Sequence, residues 1–181
     1  MPKRHLGPEA GLPDVWLVSD ARNDARLERV LKRLPRGSGF IFRHYHFEPD
    51  RRRARWGKLT RLARSRGHLV ALSWSVGGAR RWGADAVYGP PGRLAKGPAM
   101  LRLVTAHSLR EIGAAHRARA DAILLSPVFT TRSHPGAQAL GPVRFRLLAA
   151  RAKVPVIALG GMSKRHARVM KWKKWAAIDG I

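Results

Sequence analysis

Cysteine is absent from this chain, which excludes disulfides and thiolate metal sites and fits a reducing compartment. Acidic residues are scarce, with 11 Asp+Glu against 36 Lys+Arg, so a formal charge of +25 will draw the molecule toward anions. No apolar run approaches the ~20 residues needed to cross a bilayer. The basic start Met1-Pro-Lys-Arg-His-Leu-Gly-Pro8 has no apolar segment after it, so neither a membrane span nor a signal peptide is expected. These absences point to a cytoplasmic protein. At 181 residues the chain reads as a single domain, 1–181, short for a closed eightfold α/β barrel, which typically needs ~250 residues.

The excess of positive charge has two readings. A basic module that binds nucleic acid is one; an arginine-rich surface around an enzyme that uses anions is the other. Placement favours the second. The cations fall on predicted helices, as in the stretch Arg51 to Arg64, where Trp56, Leu59, Leu62 and Ala63 form an inward stripe and leave the arginines outside. No zinc-finger spacing, RNP-type aromatic motif or helix-turn-helix pattern accompanies them.

Apolar runs alternate with helix-like stretches along the chain, the pattern of a parallel sheet wrapped by helices. Eight strands are predicted: Val15 to Ser19, Phe40 to His44, Leu69 to Ser73, Ala86 to Tyr88, Leu101 to Thr105, Ala122 to Leu125, Val154 to Leu159 and Ala176 to Asp179. Helices are predicted over Ala25 to Leu34, Arg52 to Arg66, a short Val76 to Trp82, Ser108 to Ala118, Val143 to Ala152 and Ser163 to Lys174. Ser108 and Ser163 suit N-cap positions, and Glu111 completes a capping box with Ser108. Gly89 to Pro98 reads as a loop with little room for a full helix. The expected fold is a compact (β/α)8 barrel that lacks its last helix. Apolar surface would then remain outside the first and last strands, inviting a partner subunit or a loop to cover it.

Two segments carry the clearest chemistry. Ser126-Pro-Val-Phe-Thr-Thr-Arg-Ser-His134 and Val154-Pro-Val-Ile-Ala-Leu-Gly-Gly161 are apolar runs that stop in hydroxyl or glycine residues. A strand buried on both faces that delivers hydroxyls and bare N–H groups to its carboxyl end builds half of a phosphate-binding rim. The other strand ends add Arg43, which can hold phosphate bidentately, and Thr105-Ala-His107. His107 can exchange a proton near pH 7 or serve as a structural histidine.

These segments are similar to the thiamine-phosphate synthase/TenI family, which has comparable G-P-V-F-x-T and P-V-x-A-[IL]-G-G runs. The likeness is strong from about Leu103 onward and weak before it. It implies a transferase of thiamine biosynthesis that joins an aminopyrimidine pyrophosphate to a thiazole phosphate, with TenI-like isomerising or regulatory activity as the alternative. By the same resemblance, Arg43, His107 and Thr131 would serve catalysis. Thr105, Ser133, His134, Gly160, Gly161 and Arg93 would hold the phosphorylated substrates. Magnesium would also be expected. However, Trp74 stands where the family has one acidic ligand and Arg93 falls where it has the other, so no metal ligands are identified. Tyr45 and His134 each replace a lysine, and Asp179-Gly180 stands instead of the family's Ile-Ser or Val-Ser.

Overall fold

The computed structural model describes residues 11–131, 138–179 and 181. Eight parallel strands close into a barrel in sequence order: β1 (Val15–Val18), β2 (Gly39–Phe42), β3 (Leu69–Ser73), β4 (Ala86–Gly89), β5 (Leu101–Ala106), β6 (Ala122–Leu125), β7 (Val156–Ala158) and β8 (Trp175–Ala177). The ring closes between β1 and β8, with Trp16 opposite Ala176. Helices α1 (Leu27–Arg33), α2 (Pro49–Ser65), α3 (Val76–Arg81), α4 (Pro91–Leu94), α5 (Leu109–Arg117), α6 (Gly141–Ala149) and α7 (Lys164–Val169) follow β1 to β7 in turn, and a 3-10 helix (Ala21–Arg26) leads into α1. No helix follows β8 among the described residues, as expected.

The barrel interior shows why these sequences close on each other. Trp16, Val18, Ile41, Tyr88, Leu103, Leu124 and Ile157 point inward among the small residues Ala71, Ala86, Ala122 and Ala176. Large and small side chains therefore alternate and interlock. Gly39 lies against Trp16 so closely that a Cβ there would sit 2.1 Å from the indole. The opposite strand faces pack outward onto the helices, with Phe40, Phe42, Leu72, Val87, Val104, Ile123 and Leu125 in one outer core with Leu31, Trp56, Leu59 and Phe145.

Several local expectations change. Gly89 to Pro98 is not wholly loop: one helical turn forms at Pro91, where a missing N–H costs nothing, and Leu94 anchors it in the core. Ser108 accepts the N–H of Glu111, but the Glu111 carboxylate reaches the N–H of His107 (2.7 Å), one residue short of a capping box. The apolar seam outside β1 and β8 is not exposed. Leu17, Trp175 and Ala177 are all buried, and Asn23 Nδ2 donates to the carbonyls of both Val18 (3.0 Å) and Ile178 (2.8 Å), bracing the join.

The inward stripe of α2 is also wider than the sequence suggested. Trp56, Leu59 and Ala63 are buried, and so is Arg52, one turn earlier on the same face.

Candidate active site

All eight strands point their carboxyl ends to one face, the face on which barrels of this kind carry their sites. A cavity of about 1040 Å³ opens there. Arg43, Arg93, Thr105, His107, Thr131, Gly160 and Gly161 all line it, although they come from the ends of β2, β4, β5, β6 and β7. Ser133 and His134 lie outside the described residues. The lining also includes Arg22, Tyr45, Tyr88, Gln138, Arg144 and Asp179, which sequence reasoning did not assign to the site. Arg22 sits just past the end of β1, in the 3-10 helix, so its order along the rim was the available signal, whereas Arg144 lies in the first turn of α6, far along the chain from the end of β6.

The glycine end is shaped by close packing. Gly160 and Gly161 have φ of +91° and +62°, and Cβ atoms there would meet Pro127 Cα and the Thr130 carbonyl, both at 2.6 Å. No other residue could bring the β7 end this near to the β6 end. The backbone N–H groups of Gly160 and Gly161 have no acceptor among the described residues, which leaves them free to meet an anion.

Asp179, the acid nearest this end, is neutralised by Arg26 (3.1 Å) and Arg22 (3.8 Å). Asp20, just after β1, receives Arg22 Nε at 2.9 Å and Arg43 at 3.9 Å. Burial pulls its carboxyl up, but hydrogen bonds from Arg22 and the charge of Arg43 hold it below the ordinary carboxylate value. Both carboxylates are thus engaged by guanidinium groups.

Arg43 is set by a buried chain of hydrogen bonds. Its N–H donates to Ser19 Oγ (2.8 Å), which donates to His44 Nδ1 (2.7 Å). His44 Nε2 in turn donates to Asp24 (2.7 Å), which also receives Arg55 Nε (2.7 Å). His44 takes φ +27°, a strained conformation for a side chain with Cβ, and is held in it by these bonds and by stacking on Phe42 at 4.5 Å. Burial keeps its pKa below 6.5 despite the neighbouring Asp24 carboxylate, so the ring is neutral at pH 7.

His107 has a defined tautomer. Its Nδ1 lies 2.7 Å from the Ser126 carbonyl, which can only accept, so Nδ1 carries the proton and Nε2 is left as an acceptor. Nearby, burial pushes Tyr88 up to about 12, so its phenol stays neutral.

Magnesium does not fit this donor set. The indole of Trp74 and the guanidinium of Arg93 cannot ligate a cation, and no group of three His, Cys, Asp or Glu could hold one among the described residues.

A closed ring of eight parallel strands with an arginine-lined cavity at its carboxyl face defines an eightfold α/β barrel of the enzyme type. The family model described as thiamine monophosphate synthase matches residues 15–179, and the chain belongs to that family. It is 30% identical over 175 residues to the thiamine-phosphate synthase of Pyrococcus furiosus, covering 92% of this chain and 83% of that one. A putative thiamine-phosphate synthase 2 of Aquifex aeolicus is 38% identical over 77 residues, 42% of this chain and 41% of its own. Among solved structures, thiamine phosphate pyrophosphorylase from Pyrococcus furiosus superposes with a TM-score of 0.75 at 25% identity, over 91% of this chain and 84% of that one. An aldolase from Escherichia coli reaches a TM-score of 0.65 at 8% identity over 92% and 75%, a likeness of fold alone. No described helix is long and apolar enough to cross a membrane.

Proposed function

We propose that this protein joins an aminopyrimidine pyrophosphate to a thiazole phosphate and releases pyrophosphate, a step of thiamine biosynthesis. The observation that carries the reading is the gathering of Arg43, Arg93, Thr105, Thr131, Gly160 and Gly161 around one cavity large enough for two small phosphorylated molecules. In the reaction the bond from the pyrimidine methylene carbon to the pyrophosphate oxygen breaks, and the thiazole intercepts the carbocation left behind. The main demand on the protein is fixed positive charge around the departing pyrophosphate. Arg43 and Arg93 supply it in this reading, with Arg43 able to bind two oxygens at once. The free N–H groups of Gly160 and Gly161 hold the thiazole phosphate at the opposite part of the rim, together with the hydroxyl of Ser163. Thr105 and Thr131 add hydroxyl donors, and Ser133 and His134 are proposed to complete the contacts.

The test is direct. Purified protein is incubated with both phosphorylated precursors, with and without magnesium, and thiamine phosphate is measured. Binding of both precursors with no product would refute the transferase reading.

The second reading, a TenI-like isomerase, is favoured by His107. With Nδ1–H committed to the Ser126 carbonyl, Nε2 is poised to take a proton from a ligand in the cavity. Conversion of one thiazole phosphate isomer into another, without coupling, would support it.

A further inference from the structure

Arg52 and Arg102 are the two buried arginines among the described residues, and Arg52 is the one beside the cavity. It is buried on α2, yet among the described residues it pairs with no carboxylate and its Nε has no hydrogen-bond partner. Its Nη2 donates to the carbonyls of Ser73 (2.9 Å) and Arg43 (3.3 Å), at the carboxyl ends of β3 and β2. Aromatic rings enclose it, with centroids at 4.7 Å (Trp74), 5.4 Å (Trp82), 5.8 Å (Tyr45) and 5.9 Å (Phe42). Strand-end carbonyls and ring faces ease the burial of a guanidinium, but they cannot cancel its charge.

The position of this charge is informative. Tyr45 lines the cavity, and its ring lies 5.8 Å from the Arg52 guanidinium and 5.9 Å from that of Arg43. The Tyr45 hydroxyl is bonded to Ser73 Oγ, which fixes the ring in place. Arg52 thus stands one aromatic ring behind the cavity wall. Arg93, on the next part of the rim, lines the same space and forms no ion pair with a described carboxylate. The acid that faces this group is Asp20, 3.9 Å from Arg43 and already held by Arg22. On the β2 to β4 side, then, two guanidinium groups line the cavity and a third stands behind its wall, and no group of three His, Cys, Asp or Glu among the described residues could hold a cation.

We infer that this end of the cavity binds pyrophosphate without a divalent cation, Arg43 and Arg93 touching the anion and Arg52 acting through space as a buried positioning charge. The inference rests on the proposed function in taking pyrophosphate as the occupant. A guanidinium supplies charge and directed N–H donors in place of a metal's coordination. Free pyrophosphate, with its full negative charge, is therefore a better ligand than its magnesium complex.

Calorimetry with inorganic pyrophosphate tests this, in EDTA and in excess magnesium. Binding in EDTA is expected to be at least as tight as in magnesium. Arg93→Gln is expected to weaken it about tenfold through loss of a charge-assisted contact. Arg52→Gln is expected to weaken it about tenfold by removing a charge roughly 10 Å away, and Arg52→Lys should restore most of the affinity. A merely structural Arg52 would lower thermal stability in both variants and leave affinity unchanged, which would overturn its role. Binding that requires magnesium, or that is indifferent to Arg93→Gln, would overturn the inference and leave the transferase reading standing. No pyrophosphate binding in either buffer would overturn both.

Discussion

Ser19 Oγ lies 2.7 Å from His44 Nδ1, and through it the backbone N–H of Arg43 is tied to the imidazole of the next residue. Ser19→Ala leaves that N–H and His44 Nδ1 without their partner inside the protein. Stability is expected to fall by about 1–3 kcal/mol, read from urea unfolding. Pyrophosphate affinity should fall with it, because Arg43 is aimed from this segment. An alanine variant with unchanged affinity would show that Arg43 needs no such support.

Acid should destabilise the fold in two stages. His44 is neutral when buried but titrates near 6.5 in the unfolded chain, so below that value the unfolded chain binds a proton the fold refuses. Stability therefore falls as pH drops below 6.5. Glu28 follows: hydrogen bonds from Arg55 hold its carboxyl at about 2, against 4.5 ordinarily. Its contribution is complete above 4.5 and is lost as pH falls toward 2. Glu28→Gln should flatten only this lower limb of the urea midpoint against pH. An unchanged acid limb in the variant would mean that the Arg55 pair adds nothing.

Gly161→Ala should destabilise without adding any charge. The new Cβ meets the Thr130 carbonyl at 2.6 Å, in a backbone conformation that itself costs about 1–2 kcal/mol for an L residue. Each kcal/mol lowers the melting temperature of a chain this size by roughly 2–4 °C. A carboxylate placed here would report strain as well as repulsion, so alanine is the control needed for any Gly161→Asp result. Melting at the wild-type temperature would show that the β6 and β7 ends can move apart.

His107→Gln separates the two enzyme readings. If Nε2 takes a proton, isomerisation should fall by about 10²-fold or more. Coupling of the two precursors, which needs little proton transfer, should be far less affected. Equal losses in both assays would assign His107 to structure.

Much of the barrel was legible because a strand buried on both faces must be apolar on both, and β3 and β6 begin and end where the sequence placed them. The boundaries that moved have local causes. β2 ends at Phe42, before His44 leaves the extended region, and β7 begins at Val156, after Pro155, which has no N–H for the ladder. At the site, rim residues could be read from strand ends, whereas contacts between distant segments could not. Nothing local announces that Ser19 meets His44, or that Asn23 spans to Ile178. Arg52 was missed for a different reason: it shares the face of Trp56 and Ala63, but arginine on a basic helix is assumed to face water.

The pairing of β1 with β8 has a consequence for how the protein comes into being. The ring is sealed by contacts such as that of Val15 with Trp175, groups separated by nearly the whole chain. Bringing them together is slow relative to local helix formation. A nascent chain still short of Trp175 holds an open sheet with two free edges, the surface from which misassembly starts. The cavity, whose lining runs from Arg22 to Asp179, has no counterpart in such an intermediate. Any ligand of this cavity can therefore capture only the finished ring, and its presence during synthesis would reward completion and do nothing for an earlier state.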